Sequence, residues 1–225
     1  GNRQMVDILT AVLTDGLPAV EAARNRKDIF GEKPLARTIA EQQKMVKAVQ
    51  QNRRIWQTGS WQRSERNFRK AAEIVRNGLI GKITRVEVGL PAGHNDFAKT
   101  KDKDQITAPP AELDYETWIG PSKMMPYREC QVHKNWRWNY NTGGGQLLDW
   151  VGHHVDIAHW GLGFDDNGPS EIEGAGEFPP RDAVWNTCTK YRLKLKYPVS
   201  IEMVVAGGHP DIKGGTKWIG TDGWV

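Results

Sequence analysis

Short apolar runs alternate with stretches of helical spacing through roughly the first sixty residues, and this alternation constrains the fold more than any other feature of the chain. Val6–Leu13 (VDILTAVL) reads as a buried strand. Leu17–Arg24 (LPAVEAAR) has helical spacing, with Pro18 tolerable in a first turn, and Asp28–Gly31 (DIFG) is short enough to be only a strand end. From Thr38 to Gln51 the chain reads as a helix. Thr38 caps it, Glu41 follows three residues on, and Ile39, Met45, Val46 and Val49 form an apolar stripe. Arg54–Gly59 (RIWQTG) returns as a strand. Strand, helix, strand, helix, strand is the pattern of a parallel sheet with crossover helices.

The pattern then changes. Asn67–Arg76 is an amphipathic helix stopped by Asn77-Gly78, and Thr84–Gly89 is an alternating strand. Residues 91–110 are polar and contain proline. Leu113–Ile119 reads as a short helix, and Gly143–Gly145 lead into a helix from about Gln146 to Trp160. Strands are expected at about Ile172–Phe178, Val184–Lys196, Ser200–Ala206 and Thr216–Ile219. Turn residues join them, as in an antiparallel sheet. The chain thus reads as an α/β piece followed by an α+β piece, divided at 1–62 and 63–225.

Composition excludes several functions. The 225 residues carry a net charge of only +4, with Lys and Arg mixed among Asp and Glu, whereas nucleic-acid binding calls for a denser basic patch. No apolar run approaches the ~18–20 residues of a membrane span, so none is expected. Gly1 to Gln4 do not read as a signal peptide, and the compartment is left as cytoplasmic, or periplasmic if an export signal lies upstream. Cys130 and Cys188 allow one disulfide or none.

Three groups of residues, and Arg63 beside them, are candidates for chemistry. Glu32-Lys33-Pro34 follows a strand, and in open α/β sheets ligands bind beyond the carboxyl ends of strands. Lys33 there is either a solvated lysine in a turn or an ammonium facing a hydroxyl or cofactor. Asp149 and His153 are four residues apart on one helix face, with Asp156 nearly in line. They form either a surface ion pair or an acid–base unit in which the carboxylate orients the imidazole. His153, His154 and His159 diverge on the helix and lack metalloprotease spacing or a Cys partner, so no metal site is expected. Trp136, Arg137, Trp138, Asn139 and Tyr140 alternate rings with polar groups. They suit either a core or a pocket wall for a polyhydroxylated ligand. Arg63 follows the strand ending at Gly59 and is either a binder of ligand oxygens or a surface residue. No G-x-G-x-x-G, P-loop or serine elbow occurs.

Taken in order, Glu32-Lys33-Pro34, Gly78-Leu79-Ile80-Gly81-Lys82-Ile83, Gly143–Gly145 leading to Asp149 and His153, and the terminal Trp218–Trp224 resemble the glucose–fructose oxidoreductase / inositol dehydrogenase (Gfo/Idh/MocA) family over roughly residues 6–225. The resemblance implies a partial Rossmann-type parallel sheet followed by an α+β domain with an open antiparallel sheet that forms homo-oligomer contacts. It implies NAD or NADP and hydride transfer from a hydroxyl-bearing carbon of a sugar or polyol, a small carbohydrate substrate. Lys33 would hold the reacting hydroxyl and, with Glu32 and Pro34, border the cofactor. His153 would accept the proton and Asp149 would orient it. Arg63, Trp136, Trp138, Tyr140 and His154 would shape the substrate pocket. The same residues would also serve an NAD-dependent glycosidase or lyase acting through a keto-sugar, or remain in a non-catalytic sugar-binding remnant. The family's first βαβ unit, with its glycine fingerprint, would precede Gly1. The loop Thr14-Asp15-Gly16 is shorter than its counterpart, and the family's usual end would lie beyond Val225.

Overall fold

The computed structural model describes residues 5–8 as backbone, 16–94, 96 and 98–225. The remainder of the first expected strand, residues 9–13, lies outside the described residues, as do Thr14 and Asp15. The chain divides into two compact units, one from Gly1–Gly59 and Asp96–Gly144, the other from Ser60–Asn95 and Gly145–Val225.

In the first unit, β1 (Met5–Ile8), β2 (Asp28–Glu32) and β3 (Trp56–Gly59) form a parallel sheet in the order β1-β2-β3. The crossovers are α1 (Gly16–Arg24) and α2 (Ile39–Gln51). Thr38 and Glu41 make the expected capping box, and α2 turns Met45 and Ala48 into a core with Ala19, Ala23, Ile29 and Ala36. Asp28 is buried where β2 begins, and its carboxylate accepts the Ile55 N–H at 2.9 Å, which fixes the start of β3 against β2. The sheet is close-packed at glycine. A Cβ on Gly31 would lie 2.4 Å from the Trp56 ring, and one on Gly59 would lie 2.5 Å from the Glu32 carboxylate. β2 therefore delivers Glu32 and Lys33 to its carboxyl end, where the Lys33–Pro34 peptide is cis.

In the second unit, a five-stranded sheet has the order β5-β6-β7-β4-β8. Its strands are β4 (Ile83–Leu90), β5 (Glu171–Glu177), β6 (Lys190–Lys196), β7 (Glu202–Gly207) and β8 (Gly215–Gly220). The expectation of an antiparallel sheet is corrected at one ladder: β4 and β7 run parallel, and the other pairings are antiparallel. A long connection separates these two strands in sequence, which is what parallel pairing requires. The expected strand at Val184–Lys196 starts only at Lys190, after a turn-rich segment.

Helix α3 (Arg66–Arg76) and, after the short helix α4 (Tyr115–Ile119) of the first unit, α5 (Gly145–Leu162) pack on this unit, and Val86, Val88, Ile157, Ala158, Tyr191, Met203, Val205 and Trp218 are buried between sheet and helix. A Cβ on Gly161 would lie 2.7 Å from the Trp218 ring, so glycine lets α5 approach β8. Trp218 Nε1 donates to the Ala158 carbonyl at 3.3 Å, and Thr216 Oγ1 donates to the His154 carbonyl at 2.9 Å. β8 thereby fixes the register of the helix that carries Asp149, His153 and Asp156. On β5 and β6, Glu171 pairs with Lys196 and Glu177 with Lys190 across the ladder. Among the described residues no helix is long and apolar enough to cross a membrane.

Candidate functional site

In the first unit, Glu32, Lys33 and Pro34 are all half-buried at the carboxyl end of the central strand β2. This is the end at which open parallel sheets bind ligands. The aromatic segment does not form the extended strand that its alternation allows. Asn135–Trp138 is a 3-10 turn, in which residues two apart point in different directions. Trp138 is buried at 3 % exposure and Tyr140 is exposed at 51 %. Trp136 is half-buried, with the Arg137 guanidinium 4.5 Å from its ring centre. The segment is braced from below: Thr142 Oγ1 donates to the Trp136 carbonyl at 2.7 Å, and the fully buried Asn135 donates to the Asp96 carboxylate at 3.0 Å.

In the second unit, the 3-10 turn Trp61–Ser64 grips α5 with consecutive side chains. Arg63 meets Asp156 through two hydrogen bonds of 2.8 Å and Asp165 through a third of 2.8 Å. Its guanidinium also lies 5.5 Å from the centre of the Trp160 ring. The hydrogen bond to Asp156 leads the causes that raise the Arg63 pKa above its ordinary value, opposed by burial. Arg63, considered as a binder of ligand oxygens, thus has its fork occupied by two carboxylates. Asp156 is correspondingly an anchor for the turn.

Gln62, the preceding residue, is buried at 5 % exposure, and its Oε1 lies 2.5 Å from His153 Nδ1. The edges of Trp61 and Trp150 flank the imidazole at 5.8 Å and 5.7 Å. His153 is therefore a half-buried ring whose Nδ1 contact comes from a residue 91 positions earlier in the chain. Asp149 sits one turn before it on α5, as the spacing implies. Sequence reasoning did not find Gln62 as a partner of the histidine, because no local spacing links the two.

The neighbouring histidines face inward. His154, at 9 % exposure, stacks on Trp150 at 5.6 Å and lies 6.0 Å from Phe68, and its Nδ1 is buried without a hydrogen-bond partner. His159 Nε2 is 2.7 Å from the Tyr197 hydroxyl. Burial pushes the Tyr197 hydroxyl up to about 12. Burial also lowers the pKa of both His154 and His159 below the ordinary 6.5. Both rings take up a proton less readily in the fold than in the unfolded chain, which takes protons once the pH drops below about 6.5. Their contribution to stability is accordingly complete above that pH and is lost as pH falls below it. Calorimetric melting between about pH 7.5 and pH 5 should show a falling Tm, with a shallower slope in His154→Phe. An unchanged slope in that variant would contradict the assignment for His154.

Residues 64–223 match the C-terminal α/β domain of the Gfo/Idh/MocA oxidoreductase family. The match covers well over half of the 225 residues, and the chain belongs to that family. It is 33% identical over 93 residues, 40% of this chain and 28% of the relative, to a myo-inositol 2-dehydrogenase of Thermotoga maritima. Among solved structures, an aldose-aldose oxidoreductase from Caulobacter crescentus, complexed with glycerol, is 18% identical with a TM-score of 0.68, covering 98% of this chain and 55% of that one. The WlbA dehydrogenase of Bordetella pertussis, in complex with NADH and UDP-GlcNAcA, is 16% identical with a TM-score of 0.67, covering 98% and 58%. At these identities the two structures establish a shared fold. The chain spans little more than half of their length and less than a third of the curated relative.

Proposed function

We propose that the chain is part of an NAD(P)-dependent dehydrogenase that takes a hydride from a hydroxyl-bearing carbon of a sugar or polyol. One observation carries this reading: in a member of this family, the α5 imidazole expected to act as base is half-buried, flanked by two indoles and tethered at Nδ1. The names of the relatives, a myo-inositol dehydrogenase and an aldose oxidoreductase among them, support the substrate class. In this reading residues 1–62 carry the cofactor side and residues 63–225 the substrate side.

The end of β2 suits a nicotinamide riboside, because the Lys33 ammonium is a donor matched to its hydroxyls and carboxamide oxygen. A bound nicotinamide would supply the hydride acceptor. The chain's own residues manage the proton and the charge. His153 accepts the hydroxyl proton, and Lys33 holds the oxygen on which negative charge develops. Asp149 supports the protonated ring, while Arg63 braces the Gln62 turn through Asp156. Trp136, Trp138, Tyr140 and His154 are the residues proposed to shape the substrate pocket. The sheet face bearing the Glu171–Lys196 and Glu177–Lys190 pairs is the proposed self-association surface.

The test follows reduced-nicotinamide absorbance against a panel of aldoses and cyclitols, with Lys33→Ala as the control. Oxidation of at least one polyol is expected, with kcat falling by roughly 10²-fold or more in the variant. Undiminished turnover by Lys33→Ala would remove that residue from the site.

A further inference from the structure

A neutral imidazole carries hydrogen on one nitrogen and a lone pair on the other, and the hydrogen bond made by one nitrogen decides the role of the second. At His153 the contact is Nδ1 with Gln62 Oε1, at 2.5 Å. An amide oxygen only accepts, so Nδ1 carries the hydrogen and donates it. The basic lone pair of the neutral ring is then on Nε2.

Gln62 is well placed to hold this state. It is buried at 5 % exposure, and its carbonyl accepts the Glu65 N–H at 3.1 Å, which closes the 3-10 turn. The next residue, Arg63, clamps Asp156 through paired 2.8 Å hydrogen bonds, three residues beyond His153 on α5. Gln62 thus enters as part of a turn fastened to the same helix, and the Trp61 and Trp150 edges limit tilting of the ring.

We propose that Gln62 is a positioning residue that fixes His153 as the Nδ1–H tautomer and thereby makes Nε2 the proton-accepting nitrogen. The proposal rests on the reading of His153 as the base. It adds a group that touches neither substrate nor cofactor and acts through the histidine alone. A neutral amide in this place selects the tautomer without adding a charge. In water a free imidazole prefers hydrogen on Nε2, the nitrogen that must be bare for proton acceptance, so loss of Gln62 moves the hydrogen to the wrong atom.

The experiment records two-bond proton–nitrogen correlations of ¹⁵N-histidine-labelled protein for the unsubstituted chain, Gln62→Leu and Gln62→Glu. Expected are the Nδ1–H tautomer at His153 in the unsubstituted chain and conversion to Nε2–H in Gln62→Leu. In Gln62→Glu the Nδ1–H tautomer is retained, and the carboxylate raises the midpoint of His153 titration by about one pH unit or more. In polyol oxidation by the full protein, Gln62→Leu should lose roughly 10²-fold in kcat with little change in KM. Gln62→Glu should recover most of that loss with the acid limb of its profile displaced.

An Nε2–H tautomer in the unsubstituted chain overturns the proposal. So does an unaltered Nδ1–H tautomer in Gln62→Leu. If Gln62→Leu fails to fold, the unsubstituted and Gln62→Glu spectra still decide. The expected tautomers in a protein that oxidises no polyol would reject the dehydrogenase reading and leave the tautomer assignment standing, so the two fail separately.

Discussion

His153→Ala is expected to lower kcat for polyol oxidation by roughly 10²–10⁴-fold, the range that a positioned general base contributes. KM should change much less, because in the proposed role the imidazole acts on the hydroxyl proton as it leaves and adds little to ground-state binding. The variant should still fold. His153 is half-buried, while the core beneath α5 is built from Ile157, Ala158 and Trp218. The loss should shrink at high pH, where hydroxide substitutes for the missing base. Steady-state kinetics at several pH values reads all three features. A variant with kcat intact and KM raised tenfold would make His153 a binding residue.

Trp218→Ala is expected to cost about 3–5 kcal/mol of stability in its unit. Trp218 is 1 % exposed and is the largest fully buried side chain among the described residues. Its truncation leaves a cavity against the site where Gly161 allows α5 to approach, and it strips the Ala158 carbonyl of the indole donor at 3.3 Å. For a chain of this length the loss corresponds to a fall in Tm of about 10 °C or more. Trp218→Phe, which fills most of the space but cannot donate, should lose roughly 1–2 kcal/mol. Thermal denaturation followed by near-ultraviolet circular dichroism measures both. A fall of less than about 1 kcal/mol in the alanine variant would mean that the cavity collapses without cost.

Local signals in the sequence were legible where the structure is local. The Thr38–Glu41 capping box and the Asn77-Gly78 stop after α3 follow from short spacings. Of the expected apolar stripe on α2, Met45 and Val49 pack on the core, whereas Ile39 and Val46 are exposed and Ala48 takes the buried place instead. The Glu32-Lys33-Pro34 placement follows from strand order in a parallel sheet. Long-range pairing was not legible. The parallel β4–β7 ladder depends on a connection more than a hundred residues long, and turn residues between later strands say nothing about it. The Trp136–Tyr140 alternation is compatible with a strand or a loop, and spacing alone does not choose; Asn135–Trp138 folds as a 3-10 turn braced by Thr142. The Asp149–His153 spacing placed the imidazole on its helix, yet its tether at Nδ1 is the amide of Gln62, and Arg63 turned out to be clamped by Asp156 and Asp165. These contacts join residues 91 to 102 positions apart, where periodicity carries no information.

The central claim is that the His153 imidazole accepts the substrate proton. Its most direct test compares two titrations of the same protein: the acid limb of kcat/KM for polyol oxidation against pH, and the His153 ring followed by nuclear magnetic resonance. The account predicts that the two midpoints coincide and that Gln62→Glu moves both upward together. A kinetic limb that stays in place while the His153 midpoint moves would contradict it.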